Sequence, residues 1–540
     1  MKNSVSKERA RKIRTREKQA GKTASDHLPA LQRPVYGFML ALALWMATVV
    51  LVYADQFFGG SVANVPGLSI MGNAVFLLAG LFAVALALQM VVPDKMRNNA
   101  RVLLLVLVAL VATAAARLTL YGAQTAFPIR PEIAAFLVPL ALAPLMATIM
   151  LGGITGALLG FWTSLVMSVM MGCSFTVLLT GIVASVVAAR IADQVRTRAK
   201  VIRTGVVVGL AEVTLVLAVT ALNWRSADIM LVFDQAGACL LSGFLSALVV
   251  LLILPAFESM FKITTDLTLL ELTDLSHPLL QRLAIEAPGT YHHSLIVANM
   301  AQVAADDIGA NSLLARVCAY FHDVGKLTKP DFFAENLNQR GNPHDDLPPS
   351  MSTLVITAHV KEGLSLAMMH KLPMPVRAVI LEHHGTSLVS CFHHKAKSQK
   401  ENEIVGGNER VDEGDFRYPG PRASFKESAI ICLADSVEAA SRTIEKTTPG
   451  HIEQLVNSIV NKKLTDGQLD DCELSLQELT RVKRSFVFTL TNMLHGRVPY
   501  PKDEDNQQSK PMANGRTEGK SAGRTSPGAG RGPGEGKSSA

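Results

Sequence analysis

Eight apolar runs, each long enough or nearly so to cross a bilayer, fill much of the first half of this 540-residue chain and limit what it can fold into. They lie at approximately 36–54, 68–92, 102–121, 133–152, 154–172, 174–191, 205–223 and 236–255. A run of about 20 apolar residues crosses hydrocarbon as a helix, because a helix satisfies its own backbone there. Outside 36–255 the sequence reads as ordinary soluble protein. The expected class is therefore all-α: a polytopic membrane bundle of about eight spans, then an all-helical globular domain.

Charge placement tests the count independently. With the N-terminus inside, the loop 93–101 carries Lys95, Arg97 and Arg101, and the loop 191–204 carries Arg196, Arg198, Lys200 and Arg203. The loops assigned outside hold only Arg130 and Arg225. Eight spans with both termini in the cytoplasm satisfy the Lys/Arg bias, whereas seven or nine would put the second half outside. A multi-pass protein of the inner (cytoplasmic) membrane is expected. No small-residue cleavage site follows the first span, which reads as a retained anchor. Arg117 and Glu212 fall well inside spans and are expected to face the bundle interior, satisfying each other or backbone groups.

The formal charge of +7 raises the question of nucleic acid, and its location answers it. Residues 1–34 hold ten Lys/Arg against three Asp/Glu, directly before the first span. That is a topology signal in contact with membrane lipids rather than a surface for a nucleic-acid polymer. The six cysteines are dispersed without a C-x-x-C pair, which argues against a disulfide scaffold or a zinc cluster.

The remaining segments follow from composition. Residues 1–35 form a basic cytoplasmic segment and 36–255 the membrane domain. Residues 256–287 read as a connecting helix with a turn at Pro288-Gly289, and 288–501 as a cytosolic domain broken by loops at 334–349 and 396–424. The Gly/Ser/Pro/Lys-rich stretch 502–540 cannot bury a core and is expected to be disordered.

Eleven of the fourteen histidines fall between His277 and His394, none of them in a span. Clustered histidine with interspersed aspartate is the ligand set of a hydrolytic transition-metal site. His293 heads an apolar stripe with Val297, Met300, Ala304 and Ile308. His322 lies four residues beyond Cys318, His359 four beyond Val355, and Asp435 four beyond Ile431; His383 completes a stripe with Val376, Val379 and Ile380. Each sits on or beside the buried face of a different helix, where an unpartnered polar group is costly and a metal supplies the partner. His277, His344, His370, His393, His394 and His451 are read as surface or loop residues. His384 is intermediate, since helix neighbours point about 100° apart. In His322-Asp323-Val324-Gly325-Lys326 the adjacent carboxylate can bridge two metals. Gly325 is expected to end a helix tightly and bring Lys326 close enough to neutralise a phosphate oxygen.

These residues resemble the signature H…HD…D of the HD superfamily of metal-dependent phosphohydrolases. More closely, the chain resembles the seven-transmembrane HD-domain phosphodiesterases of the PgpH type, which hydrolyse cyclic di-AMP in bacteria. The resemblance runs from about 68 to 500 and is carried by seven blocks in order. They are E-A-P-G-T-Y-H-H-S (286–294), L-L-A-R-V-C-A-Y-F-H-D-V-G-K (313–326), N-P-H-D-D-L (342–347), I-T-A-H-V-K-E-G (356–363), E-H-H-G-T-S-L-V (382–389), D-F-R-Y-P-G-P (415–421) and L-A-D-S-V-E-A-A (433–440). It implies two divalent transition-metal ions, iron or manganese. One would be held by His293, His322, Asp323 and Asp435. The second would be held by the bridging Asp323 with His359 and His383, and with His384 at or near it. It further implies attack of a hydroxide between the ions on a cyclic dinucleotide, giving pApA from cyclic di-AMP. Lys326 and, more weakly, Arg417 are the implied phosphate contacts.

One departure is large: family members carry a sizeable extracellular domain after the first span, whereas here only residues 55–67 separate the first two runs. That sensing domain is expected to be absent. Among alternatives, a cyclic di-GMP enzyme usually carries G-Y-P after its paired histidines, where this chain has Gly385-Thr386-Ser387. A hydrolase of guanosine tetraphosphate is another alternative. A non-catalytic nucleotide receptor should have lost ligands, and none is missing. A transporter should show an ionisable path, of which only Arg117 and Glu212 are visible. The sequence is compatible with a homodimer and does not test it.

Overall fold

The computed structural model describes residues 34–54, 66–127, 129–193, 195–222, 228–337, 341–402, 411–442 and 448–495. The basic segment before residue 34, most of the 55–67 linker and the Gly-rich tail lie outside these residues. Among the described residues there is no β-strand; the only sheet-like pairing is an isolated bridge between Leu388 and Arg417.

Eight helical stretches are long and apolar enough to cross a membrane. They are α1 (Pro34–Val52), α2 (Gly67–Val91), α3 (Asn99–Thr125), the two-part span α4 (Pro131–Leu137) and α5 (Leu142–Leu151), α6 (Gly153–Met170), α7 (Phe175–Ala192), α8 (Arg198–Leu222) and α9 (Ile229–Phe261). In lipid the hydrophobic effect does not drive helices together, so their contacts rely on close packing of small residues. The α8–α9 seam shows this: a Cβ added to Gly205 would lie 2.3 Å from the Gly243 carbonyl oxygen.

The fourth apolar run reads as one continuous helix in the sequence but is broken in the structure. Pro139 lacks an N–H and its ring excludes the preceding turn, so Val138 turns extended at ψ 130° and the helix restarts at Leu142. Ser242 Oγ of α9 donates to the freed, buried Val138 carbonyl at 2.7 Å.

Polar contacts gather three loops on one face. Lys95 donates to the Leu151 carbonyl oxygen, and the Gly153 N–H donates to Asp193 Oδ1 at 2.7 Å. Arg196 pairs with Asp266 at 3.7 Å and Arg198 with Glu271 at 2.6 Å. The loops after the second, fourth and sixth spans therefore share a side with the chain leaving the eighth. These pairs are largely exposed and add little stability, but they report placement.

Beyond α9 come α10 (Asp266–Glu271), α11 (Pro278–Glu286), α12 (Pro288–Ile308), α13 (Ser312–Phe321), α14 (Pro349–Met369), α15 (Met374–Glu382), α16 (Ser390–Asn402), α17 (Lys426–Ser441), α18 (Pro449–Thr465) and α19 (Leu476–His495). Pro288 does not mark a turn; it opens α12 at a first-turn position, where no backbone N–H is needed. Gly309, at φ 73°, ends α12, and Asn311 caps α13 by accepting from the Leu314 N–H at 3.0 Å. The resulting α12–α13 hairpin encloses Val297, Met300, Val317 and Phe321 together with Val379 and Ile380 of α15 and Ile431 of α17, all fully buried. At roughly 1.5–3 kcal/mol for each large side chain, this core fixes the helices that carry the polar cluster described next.

Candidate metal centre

The apolar stripes converge, and the polar residues at their ends meet in one buried cluster. His293 projects from the first turns of α12, His359 from mid-α14 and Asp435 from mid-α17. His322 and His383 are the residues just past the ends of α13 and α15, with Asp323 and His384 following them. His293, His322, Asp323, His359, His383 and Asp435 are each at least nine-tenths buried.

Three histidines are held in the same tautomer by backbone carbonyls. The Nδ1–H of His322 donates to Ala319 O at 2.7 Å, that of His359 to Ile356 O at 2.6 Å, and that of His383 to Ile380 O at 2.9 Å. Each therefore turns Nε2 inward, the arrangement typical of imidazole ligands. His359 Nε2 and His383 Nε2 face each other at 3.3 Å. With both Nδ1 positions protonated, those are two lone pairs in repulsion, and a cation between them removes the conflict.

Asp323 lies between two such groups. Its Oδ2 is 3.3 Å from His322 Nε2 and 3.6 Å from His293 Nε2, while its Oδ1 is 3.5 Å from His359 Nε2 and 3.6 Å from His383 Nε2. Asp435 Oδ1 lies 3.0 Å from His293 Nε2, and its Oδ2 lies 3.5 Å from His384 Nδ1. Donor atoms of His293, His322, Asp323 and Asp435 all fall within 4.8 Å of one another, as do those of Asp323, His359, His383 and His384. His322 Nε2 and Asp323 Oδ1 are buried without a hydrogen-bond partner among the described residues. Orphaned buried donor atoms of these types, in two sets sharing one carboxylate, fit two divalent ions.

The electrostatics agree. Burial opposes charge on His322, but the Asp323 and Asp435 carboxylates overcome it and push the imidazole up to about 10. A proton at Nε2 thus stands where a metal would compete for the same atoms. Burial pulls His359 down to about 4 and, with His383 beside it, holds His384 well below its ordinary value, so both stay neutral and available as ligands. Burial alone would raise Asp323, yet Lys326 and His322 hold it well below the carboxylate range.

The sequence-selected Lys326 lies in a 3₁₀ turn (Val324–Thr328), its Nζ 2.7 Å from both Asp323 Oδ2 and Glu335 Oε1. Burial disfavours its charge, but those two carboxylates raise its pKa and keep it an ammonium. Gly325 does not act as the expected helix stop, since α13 has already ended at Phe321. Its Cα lies under the backbone of α14: a Cβ there would be 1.8 Å from the His359 carbonyl oxygen. Arg417 is engaged elsewhere, donating to Asp466 at 3.0 Å and to the Thr386 carbonyl at 3.0 Å. The next residue, Tyr418, lies over His384 with ring centroids 4.3 Å apart.

Four supporting residues escaped the sequence reading. Glu438 accepts from His293 Nδ1–H at 2.5 Å and is itself held by Arg442 at 2.8 Å; its position three residues after Asp435 on one helix face was a usable signal. Glu382 accepts from the Ser424 N–H and the Ser428 hydroxyl, at 3.0 and 2.8 Å, joining the end of α15 to α17. Glu335 and Tyr418 come from irregular loops without periodicity to reveal them. Of the histidines read as surface or loop residues, His344 is buried, with Nε2–H donating to Phe332 O at 2.9 Å, and His277 caps α11.

Residues 68–265 match a family described as 7TM receptor with intracellular HD hydrolase, and residues 290–440 match the HD domain. The cyclic-di-AMP phosphodiesterase PgpH of Bacillus subtilis is 39% identical over 309 residues, covering 56% of this chain and 42% of that protein. The protein of the same name from Listeria monocytogenes is 38% identical over 308 residues, covering 57% and 42%. The chain thus matches less than half the length of these relatives. A crystal structure of the L. monocytogenes phosphodiesterase PgpH HD domain, also solved in complex with cyclic di-AMP, is 41% identical; without ligand it covers 41% of this chain and 100% of that chain, with a TM-score of 0.38.

Proposed function

The chain belongs to the family of 7TM receptors with an intracellular HD hydrolase, and on that premise we propose that it is a membrane-bound phosphodiesterase that hydrolyses a cyclic dinucleotide, cyclic di-AMP to pApA. The observation that carries the reading is Asp323, whose two carboxylate oxygens face two separate sets of inward-turned imidazoles. His293, His322 and Asp435 with Asp323 would hold one ion, and His359, His383 and His384 with Asp323 the other. Manganese or iron suits this mixed imidazole and carboxylate set. When bound, the ions supply Lewis acidity toward a phosphodiester and activate water for in-line attack.

The protein side chains do the rest. His384, with 18% of its side chain exposed against 8% or less for the other ligands, marks the open side of the cluster. A phosphodiester entering there meets Lys326, whose ammonium balances charge building on the non-bridging oxygens. Glu335 keeps that ammonium aimed, and it is itself fixed to α12 by the Thr290 hydroxyl at 3.0 Å. Arg417 positions the loop that lays Tyr418 over His384. The gathering of three loops, two of them rich in Lys and Arg, on the side from which the HD domain leaves the bundle supports a cytoplasmic catalytic domain in the inner membrane.

The test is product analysis with the full-length protein in detergent, Mn²⁺ or Fe²⁺, and cyclic di-AMP, cyclic di-GMP and guanosine tetraphosphate in parallel. Linear pApA from the native protein and none from Asp323→Ala is expected. Turnover of another nucleotide in preference, or tight binding without turnover under either metal, would overturn the assignment.

A further inference from the structure

The membrane half holds a carboxylate that the hydrolytic site does not use. Glu212 lies near the middle of α8, 14 residues after Arg198 and 10 before Leu222. It is 1% exposed, and its Oε1 has no hydrogen-bond partner among the described residues. Arg117 and backbone groups are the partners expected for this carboxylate, and Oε1 hydrogen-bonds to neither. An anion held this way in hydrocarbon is costly, so the group must be neutralised by a proton or a cation.

The surroundings combine packed side chains with a break in the backbone. Cys239 of α9 packs with Val216, one turn along α8 from Glu212. Phe136, on the last turn of α4, packs with Val216 and Cys239. Just beyond Phe136 and Leu137 the fourth span is unwound, and Ser242, one turn along α9 from Cys239, holds the freed Val138 carbonyl. Irregular backbone at membrane depth is tolerated where protein covers it or where it lines a cavity, and breaks of this kind carry cation sites in transporters. Asp234 and Glu132 lie in the first two turns of α9 and α4, and Arg190 lies in the last turn of α7. Half-buried Arg117 is on α3, which packs against α4 and α9.

We propose that Glu212 is a cation-binding carboxylate within the bilayer, taking a proton or an alkali ion at the seam of α8, α9 and the broken fourth span. The site has a direct structural connection to the rest of the molecule. From Cys239, α9 runs on to Phe261, about 33 Å at 1.5 Å per residue, and α10 then packs on α13, the helix that delivers His322.

Dicyclohexylcarbodiimide, which reacts with protonated carboxyls in apolar surroundings, tests this on the full-length protein in detergent, with the modified peptide read by mass spectrometry. Labelling of Glu212 at acid pH is expected, falling about tenfold per pH unit above its midpoint. Protection by sodium chloride but not choline chloride assigns an alkali ion to the site, and absence of protection assigns the proton alone. Because the reagent must reach the site, the infrared difference between native protein and Glu212→Gln provides a second reading. The carbonyl stretch of a protonated carboxyl should be present in the native protein and should disappear with rising pH or added sodium. Glu212→Gln should elute as the native protein does and keep its metal content. An infrared band that is absent, or one that ignores both pH and sodium, would overturn the proposal whatever the labelling shows.

Discussion

Gly325→Ala is the substitution whose consequence the structure specifies most closely. An alanine Cβ at this position would meet the His359 carbonyl oxygen at 1.8 Å and the Gly363 amide nitrogen at 2.6 Å. Ordinary van der Waals contact begins near 3.4 Å, so α14 must retreat by the difference, 1.6 Å (3.4 − 1.8). Backbone atoms cannot rotate aside as a side chain can. Metal–ligand distances tolerate only about 0.2 Å, so His359 leaves the second ligand set while His293, His322 and Asp435 keep theirs. Overpacking of this kind costs about 1–3 kcal/mol, which a stable domain survives. The assay is metal content per chain, by elemental analysis of the purified full-length protein, alongside hydrolysis. The expected result is a fall from two metals to about one, with hydrolysis reduced by about 100-fold. Gly363→Ala is the control: its obstacles are the Ile380 Cγ2 methyl at 3.0 Å and the Gly325 backbone nitrogen at 3.2 Å, which ask for a shift of only a few tenths of an ångström, and both metals should stay. A Gly325→Ala protein with two metals and the native rate would mean that α14 does not carry His359 out of reach.

Other outcomes follow from the same geometry. Glu438→Gln removes the carboxylate that orients His293 and should weaken metal affinity by about 10–100-fold, measured by competition with a chromophoric chelator, with partial recovery in Glu438→Asp. Glu478 accepts from the Ser475 N–H and hydroxyl, each at 2.9 Å, and from Lys426 at 2.5 Å. The Lys426 contact first, then Ser475, holds it down to about 2 from 4.5. A depressed carboxyl stabilises the fold above its unfolded pKa, and that contribution is lost as pH falls from about 4.5 toward about 2. Glu478→Gln should therefore flatten the acid side of the stability profile in chemical denaturation, leaving the slope near neutral pH unchanged.

The spans and the burial of the selected His and Asp side chains were legible in the sequence because both depend on short-range periodicity. An apolar run longer than about 18 residues has few fates, and a polar residue closing an apolar stripe must be partnered when the stripe is buried. What escaped depends on contacts between distant segments. The role of Gly325 is set by a helix that begins 24 residues later (349 − 325), so the local motif suggested a helix stop instead. Glu335 reaches Lys326 through a loop pinned by Thr290 and Asn336, and no pattern in the sequence announces that closure. The break at Val138–Ala141 was readable in principle from Pro139, but overall hydropathy masks the proline, and the Val138 carbonyl it frees is taken up by Ser242 from a distant span.

Asp323 stands between two sets of donor atoms that would hold two ions, and metal stoichiometry across three variants shows whether they do. The full-length protein, saturated with Mn²⁺ and passed through a desalting column, should carry two ions. His293→Ala and His359→Ala should each retain about one, since each removes a ligand from a different set. Asp323→Ala should lose both. A native protein that binds a single ion, or an Asp323→Ala protein that still holds two, would contradict the account.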